Sequence, residues 1–295
     1  MEKQTVVVLG TFDGVHKGHA ALFDMAVKLA EKYDLETVVY TFSNSPSELF
    51  SSQPVKLLCS AQEKAKIIRS YNIDRVEMDV FTKELCNTSC RDFAQMLKNR
   101  FNIKYAVAGY NYTFGTKASG NIELLRELGY EYGFEVAEAA PVLYKGKPIS
   151  STRIRQCIEN GELEDANAQL GRCFSMTGEV KRCRQIGRTI GFPTVNIVNE
   201  IGYPILPYGV YATRVNTDGR IFNGVTNVGN NPTFGSFGLT VETHIFDFNE
   251  ELYGKQITVE FIKYLRAQQR FDSVDELVKQ ISTDKSLAIK IHSEK

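Results

Sequence analysis

The sequence predicts a two-part α/β protein: a doubly wound N-terminal half on a parallel sheet, then an all-β C-terminal half that ends in a helix. Three observations carry this expectation. A length of 295 residues is two domains' worth at about 150 residues each. Up to about Leu170, apolar strand-like runs alternate with helical ones, as parallel strands covered on both faces require. After Gly171, short β-like segments follow one another across turn residues without intervening helices, which suits a small barrel or sandwich.

In the first half, residues 6–9, 37–42, 105–108 and 134–137 read as strands. Residues 20–32, 63–70, 90–99, 122–128 and 152–159 carry helical spacing, and 130–133 and 145–147 read as surface turns. Ligands of such sheets gather at the carboxyl ends of strands near a switch point, and the first strand-to-helix turn is such a place. In the second half, 174–180, 194–198, 210–215, 221–225, 241–246 and 257–261 read as strands. Asn216-Thr217-Asp218-Gly219 is a hairpin signal. A final helix is expected over about 273–281, capped by Asp272 or Ser273. The boundary falls near 160–172, giving domains 1–165 and 172–295.

Composition narrows the chemistry. Apolar residues make up 43% of the chain, enough for ordinary cores, while Lys+Arg and Asp+Glu balance at 35 each. A net charge of zero offers no global basic field for a nucleic-acid backbone, so nucleotide chemistry here would act on small molecules in local pockets. No run reaches the roughly eighteen apolar residues of a membrane span. The first strand begins at once, leaving no room for a signal peptide. The six cysteines, at 59, 86, 90, 157, 173 and 183, lack CxxC spacing. That argues against a zinc site and for reduced thiols in a cytoplasmic protein.

Two of the four histidines fall in one run, Gly10-Thr11-Phe12-Asp13-Gly14-Val15-His16-Lys17-Gly18-His19, between the first strand and the first helix. Glycines there permit positive φ and close approach of a ligand. The helix start aims unpaired N–H groups and the positive end of its dipole at the same spot. His16 and His19, three apart across the first turn, share a face. A lone glycine-rich turn with one histidine would be a surface or packing feature; this denser run reads as a phosphate site.

A second segment, Ile149-Ser150-Ser151-Thr152-Arg153-Ile154-Arg155, opens the helix at 152–159. Hydroxyls at a helix start can simply cap it. Ser150, Ser151 and Thr152 together with the Arg155 guanidinium also suit the β- and γ-phosphates of ATP. In the second half, Gly187-Arg188-Thr189-Ile190-Gly191-Phe192-Pro193-Thr194-Val195-Asn196 is a turn followed by a strand. Thr194 and Asn196 project from one face, where oxygen ligands suit Mg²⁺. Downstream, Val241-Glu242-Thr243-His244-Ile245-Phe246-Asp247-Phe248 puts Glu242, His244 and Phe246 on the face opposite Val241, Thr243 and Ile245. Glu242 is either a structural partner for Lys or Arg, or a general base.

The first run resembles the HxGH nucleotidylyltransferases, most of all their flavin-adenylating branch, and residues 149–155 resemble the ISSTxxR motif of the same superfamily. Residues 187–196 are similar to the GxPTxN motif of riboflavin kinases, and Val241–Phe248 with Leu252-Tyr253-Gly254 to their acidic strand and its sequel. Pro207-Tyr208-Gly209-Val210-Tyr211, Asn227-Val228-Gly229-Asn230-Asn231-Pro232-Thr233-Phe234 and Arg270-Phe271 match as well. In their order these motifs resemble the bacterial bifunctional riboflavin kinase/FMN adenylyltransferase (FAD synthetase) family over nearly the whole chain.

The resemblance implies a Rossmann-like HxGH nucleotidylyltransferase domain and a C-terminal six-stranded Greek-key-like barrel with a terminal helix. It implies ATP as co-substrate, Mg²⁺ as cofactor, and riboflavin, FMN and FAD as substrates and products. His16, His19 and Arg155 would serve adenylyl transfer. Gly10, Thr11, Phe12, Asp13, Gly14, Gly18, Ser150, Ser151, Thr152, Gly187, Gly191 and Pro193 would line nucleotide sites. Glu242 would take the proton of riboflavin's 5′-hydroxyl, with Thr194 and Asn196 on the metal. Asn111, Tyr112, Phe114, Asn227, Gly229 and Arg270 would contact flavin. Neither nucleic acid nor membrane is an expected partner, and the expected state is a monomer or weak homo-oligomer.

Two segments depart from the family's pattern. Its TFxPHP-like stretch is here Thr41-Phe42-Ser43-Asn44-Ser45-Pro46, without the histidine. Its GxDFxFG stretch is Gly109-Tyr110-Asn111-Tyr112-Thr113-Phe114-Gly115, with Asn for Asp. These changes keep open a kinase whose adenylyltransferase half is weak or inert. A non-enzymatic flavin-binding regulator is a reading of another class, against which the intact Glu242, Thr194 and Asn196 argue. An HxGH enzyme acting on another phosphate ester would leave the barrel motifs unexplained.

Overall fold

The computed structural model describes residues 3–52, 55–182, 187, 190–199, 202–230 and 239–293. The chain divides into two compact units, Met1–Val55 with Cys59–Ser151, and Lys56–Leu58 with Thr152–Lys295.

The first unit is built on β1 (Thr5–Leu9), β2 (Glu36–Phe42), β3 (Arg75–Asp79), β4 (Ile103–Gly109) and β5 (Glu135–Ala139), all paired in parallel in the order β3-β2-β1-β4-β5. The chain winds outward from β1 to β3 and then crosses to β4, so the switch point lies between β1 and β4. Period-two alternation along β1 supplies both faces. Val7 and Leu9 join a core with Phe93 and Leu97 of α4 (Cys90–Phe101) and Leu125 of α5 (Ile122–Tyr132). Val6 and Val8 pack with Phe23 and Ala26 of α1 (Lys17–Tyr33) and Ile68 of α2 (Ala61–Arg69). A strand covered on both sides reads as an unbroken apolar run, which is what Thr5–Leu9 shows.

The observed elements extend the expected ones and add to them. β3 escaped the sequence reading because only Val76 and Met78 are apolar in Arg75–Asp79. It is an edge strand whose charged residues pair instead, Arg100 of α4 reaching both Glu77 and Asp79. Charge of this kind also protects an open edge from pairing with another chain. Residues 130–133 are not a surface turn: α5 runs to Tyr132, with Tyr130 on its solvent face, and Gly133 closes it at φ 77°. The turn expected at 145–147 is the tip of a small hairpin between β6 (Leu143–Tyr144) and β7 (Lys147–Pro148). A short helix, α3 (Lys83–Cys86), was also unforeseen.

The helix at the junction is α6 (Ser151–Glu159), followed by α7 (Leu163–Leu170), an element the sequence reading did not place. Asn167 of α7 donates from Nδ2 to the Phe261 carbonyl, and its Oδ1 accepts the Phe174 N–H. The second unit is a closed barrel of β8 (Phe174–Lys181), β9 (Val195–Val198), β10 (Gly209–Thr217), β11 (Arg220–Asn230), β12 (Leu239–Ile245) and β13 (Gln256–Ala267), in the order β10-β11-β12-β9-β8-β13. Every neighbouring pair is antiparallel, and closure rather than a sandwich removes the sheet edges. Asp218 and Gly219, with φ of 50° and 78°, make the primed turn that the hairpin signal demanded. β11 runs on past the expected 221–225 through Asn227, Val228 and Gly229; 231–234 lie outside the described residues.

The terminal helix, α8 (Val274–Ser293), is longer than the expected 273–281. The Ser273 hydroxyl accepts the Glu276 N–H, while the Glu276 carboxylate accepts the Asp272 N–H. Ser282 and Thr283, just past that expected end, turn their hydroxyls back onto the Val278 and Lys279 carbonyls and stay helical. Arg266 of β13 holds the buried Asp284 of α8 with two nitrogens at 2.7–3.1 Å. Among the described residues Cys59, Cys86, Cys90, Cys157 and Cys173 form no disulfide; Cys183 lies outside them.

Candidate active sites

His16 is the N-cap of α1, and the way it caps decides its chemistry. Its Nδ1 accepts the His19 N–H at 3.3 Å, and the Nδ1 of His19 accepts the His16 N–H at 3.3 Å. This is a reciprocal capping box in which two imidazoles replace the usual Ser and Glu. The rings stack with centroids 3.5 Å apart at 18°. A ring nitrogen that accepts a hydrogen bond carries no proton, so each neutral ring keeps its proton on Nε2. Two Nε2–H donors therefore accompany the N-terminal amides of α1.

The glycines of this turn act mainly through space. Only Gly14 among them takes positive φ, at 77°, while Phe12 (51°) and Val15 (39°) carry left-handed conformations without being glycine. Strain of this kind persists where packing over-determines it. Phe12 is 1% exposed and meets the His19 ring edge-on at 5.1 Å. A Cβ on Gly10 would come within 2.6 Å of that phenyl ring, and one on Gly18 within 3.0 Å of the His16 ring. The Phe12 side chain is thus packing that supports the turn.

Further anchors fix the turn from below. The Thr11 carbonyl accepts from the Thr41 hydroxyl at 3.1 Å and from Lys64 Nζ at 3.0 Å; Lys64 also donates to the Phe42 carbonyl at 2.6 Å. Lys64 is buried, and that burial pushes its ammonium pKa down, with Cys59 and Asp13 pulling the other way. The Gly14 N–H donates to Cys59 Sγ, and the Ser151 hydroxyl donates to the Asp13 carbonyl at 2.9 Å. The first residue of α6 is thereby tied to the histidine turn. Ser150 and Thr152 are exposed beside it, and Arg155 donates from Nε to the Lys56 carbonyl at 2.7 Å.

In the barrel, the glycine-rich turn closes through the Phe192 N–H, which donates to the Gly187 carbonyl at 2.8 Å. A Cβ on Gly187 would collide with the Phe192 carbonyl, and Gly191 sits at φ 85°. Arg188 and Thr189 lie outside the described residues. The turn delivers Thr194, whose hydroxyl donates to Glu242 Oε1 at 2.7 Å. Asn196 of β9 and Asn227 of β11 are the register partners of Glu242 from either side, so three strands place two amides and a carboxylate in one row. Among the described residues no Lys or Arg lies within ion-pair distance of Glu242. Gln268 extends the row, its Nε2 donating to Asn227 Oδ1 at 3.1 Å, and leaves no room for a Cβ on Gly229. Arg270 is exposed two residues further on. Pro193 is exposed, but its carbonyl lies 2.9 Å from His244 Nδ1.

Family models match both halves: FAD synthetase over residues 1–153 and riboflavin kinase over residues 170–292. The bifunctional riboflavin kinase/FMN adenylyltransferase of Buchnera aphidicola subsp. Schizaphis graminum is 37% identical, covering 96% of this chain and 93% of that relative. The protein of the same name from Bacillus subtilis is 33% identical over 99% of this chain and 94% of its own. The chain belongs to the bifunctional riboflavin kinase/FMN adenylyltransferase family. A crystal structure described as a macrolide-efflux protein of Streptococcus pneumoniae is also similar, with a TM-score of 0.86 and 32% identity over 98% of this chain and 94% of that one. Among the described residues here, no helix is long and apolar enough to cross a membrane.

Within this family's pattern the two departures have local explanations. Asn44 bridges to Phe81 by accepting its N–H and donating to its carbonyl, and Ser45 opens a 3-10 turn closed by Glu48. Asn111 is exposed just beyond β4, Tyr112 stacks on Phe114 at 5.9 Å, and Phe114 is buried against Phe93. Sequence reasoning missed Lys64 and Gln268. Lys64 stands one turn before Ile68 on the buried face of α2, so a lysine in an apolar stripe was the available signal. Gln268 had none, since it becomes relevant only through pairing with Asn227.

Proposed function

We infer that this protein makes FAD in two steps, phosphorylating riboflavin to FMN with ATP and then adenylylating FMN with a second ATP. The observation that carries the reading is the pairing of two unlike phosphate sites in one chain. One is a turn with two imidazoles of fixed tautomer at a helix N-terminus; the other is a carboxylate bonded to a hydroxyl in a GxPTxN strand entry.

We assign the first step to residues 172–295. The 5′-hydroxyl of riboflavin attacks the γ-phosphorus of ATP and ADP leaves; Glu242 accepts the hydroxyl proton. Gly187, Gly191 and Pro193 shape the turn that faces the nucleotide, and Asn227, Gly229 and Arg270 lie on the flavin side. Thr194 and Asn196 fit Mg²⁺ by donor chemistry, neutral oxygens beside one carboxylate. Among the described residues no cluster of three His, Cys, Asp or Glu competes as a metal site. Mg²⁺ held there would offset charge on the phosphates.

We assign the second step to residues 1–165. A phosphate oxygen of FMN attacks the α-phosphorus of ATP, and pyrophosphate leaves without a covalent enzyme intermediate. His16 and His19 donate from Nε2 to charge gathering on the phosphate oxygens, together with the amides of α1. The backbone from Gly10 to Gly18 and the hydroxyls of Ser150, Ser151 and Thr152 cradle the triphosphate, and Arg155 holds the departing pyrophosphate. Asn111, Tyr112 and Phe114 form the flavin side, with Asn111 supplying hydrogen bonds but no charge. The protein acts on small molecules in the cytoplasm, as a monomer or weak homo-oligomer.

Chromatography of purified protein with riboflavin, ATP and Mg²⁺, then with FMN in place of riboflavin, tests this directly. Both FMN and FAD are expected. FMN accumulating alone would reduce the function to a kinase, and neither product would leave only a flavin binder.

A further inference from the structure

Building on the kinase reading, we propose that His244 is a positioning residue for riboflavin phosphorylation, holding the Pro193 carbonyl so that Thr194 meets Glu242 and the phosphates in register. His244 is 8% exposed and lies two residues beyond Glu242 on the same face of β12. A carbonyl can only accept, so the 2.9 Å contact to Pro193 fixes the proton on Nδ1. The edge of the same ring meets Phe192 at 5.4 Å. β12 thus grips the turn at consecutive residues: the Glu242 carboxylate takes the Thr194 hydroxyl, and the His244 ring takes the carbonyl just before it.

The opposite nitrogen shows what the histidine is there for. Nε2 of His244 is buried without a hydrogen-bond partner among the described residues. Phe192, Phe246, Lys285 of α8 and Asp247 act on the ring, and none of them bonds to Nε2. A phenylalanine would fill that space with no orphaned nitrogen. The histidine gains over it only the Nδ1–H bond to Pro193, and that bond fixes backbone directly ahead of Thr194.

Amide isosteres separate this role from packing. The Asn side chain places its nitrogen where Nδ1 stands, whereas Gln places it where Nε2 stands. We expect His244→Asn to keep kcat/KM for riboflavin phosphorylation close to wild type. His244→Gln and His244→Phe should lose about 10- to 100-fold, with a raised KM for ATP–Mg²⁺, because misplaced binding groups cost rates of that size. FMN adenylylation by the same preparations should be unchanged, and a wild-type circular-dichroism spectrum with a cooperative urea transition reports that the barrel of each variant is folded. Wild-type rates in His244→Phe, or equal losses in the Asn and Gln variants, would overturn the proposal. Should His244→Phe fail to fold, the Asn–Gln contrast decides alone. If the wild-type enzyme yields no FMN, the kinase reading falls first and this role with it.

Discussion

At the residue scale, the informative detail is which nitrogen of a histidine carries its proton. His16 and His19 each give Nδ1 to the other's backbone, so Nε2 is the nitrogen left to donate, and under the proposed function the cap and the donors are the same side chains. His19→Ala should slow FMN adenylylation by about 10²- to 10³-fold, the usual cost of one preorganised donor, and leave riboflavin phosphorylation intact. Steady-state assays of both half-reactions on one preparation check this. Glu242→Gln should do the reverse, costing about 10²- to 10⁴-fold in the kinase step while FAD still forms from supplied FMN. The spacing of the two histidines was legible in the chain, because three residues on a helix always share a face. Their mutual capping was not, since imidazole seldom stands in for Ser and Glu. The glycines of the turn were legible only in part: space rather than torsion requires Gly10 and Gly18, and Phe12 supplies the crowding.

At the scale of elements, α2 and β12 act as buttresses for turns they do not contain. Lys64 reaches from α2 to carbonyls at the ends of β1 and β2, and Lys64→Met would take a donor from both, leaving the Thr11 carbonyl with the Thr41 hydroxyl. A loss of about 1–3 kcal/mol in urea unfolding of the first unit is expected, with weakened adenylylation and an undisturbed kinase. His244 couples β12 to pH. Burial, the larger influence, lowers its pKa below the ordinary 6.5; the Pro193 carbonyl and Asp247 oppose this, and Lys285 adds to it. The unfolded imidazole takes up a proton near that value while the folded one resists, so unfolding gains a proton and acid favours it. Stability from this group is complete above about 6.5 and is lost as pH falls from there through the lower folded value. Urea midpoints at about pH 7.5 and about pH 5.5 should show the decline, and His244→Asn should flatten it. Elements with strong apolar period were readable in advance. β3 was not, because an edge strand makes its contacts through charge, and α8 outran the expected 273–281 because Ser282 and Thr283 turn their hydroxyls onto carbonyls one turn back.

At the scale of the whole molecule, each unit carries its own fold and its own phosphate chemistry, so the two half-reactions should be separable in trans. A mixture of the His19→Ala and Glu242→Gln proteins should make FAD from riboflavin, where neither does so appreciably alone; a mixture that stops at FMN would show that FMN made by one molecule cannot serve another. The sequence by itself determined the class of both halves, the order of their motifs and the family, because periodicity and motif spacing are local properties of a chain. Tertiary structure alone decided which β segments neighbour one another in the barrel, and so that Asn196 and Asn227 flank Glu242 from neighbouring strands. It likewise decided that Lys64 bonds the Thr11 and Phe42 carbonyls, Gln268 the Asn227 side chain and His244 the Pro193 carbonyl. Those facts depend on strand register and on contacts between residues far apart in the chain, and no local pattern encodes which distant carbonyl a buried nitrogen will meet.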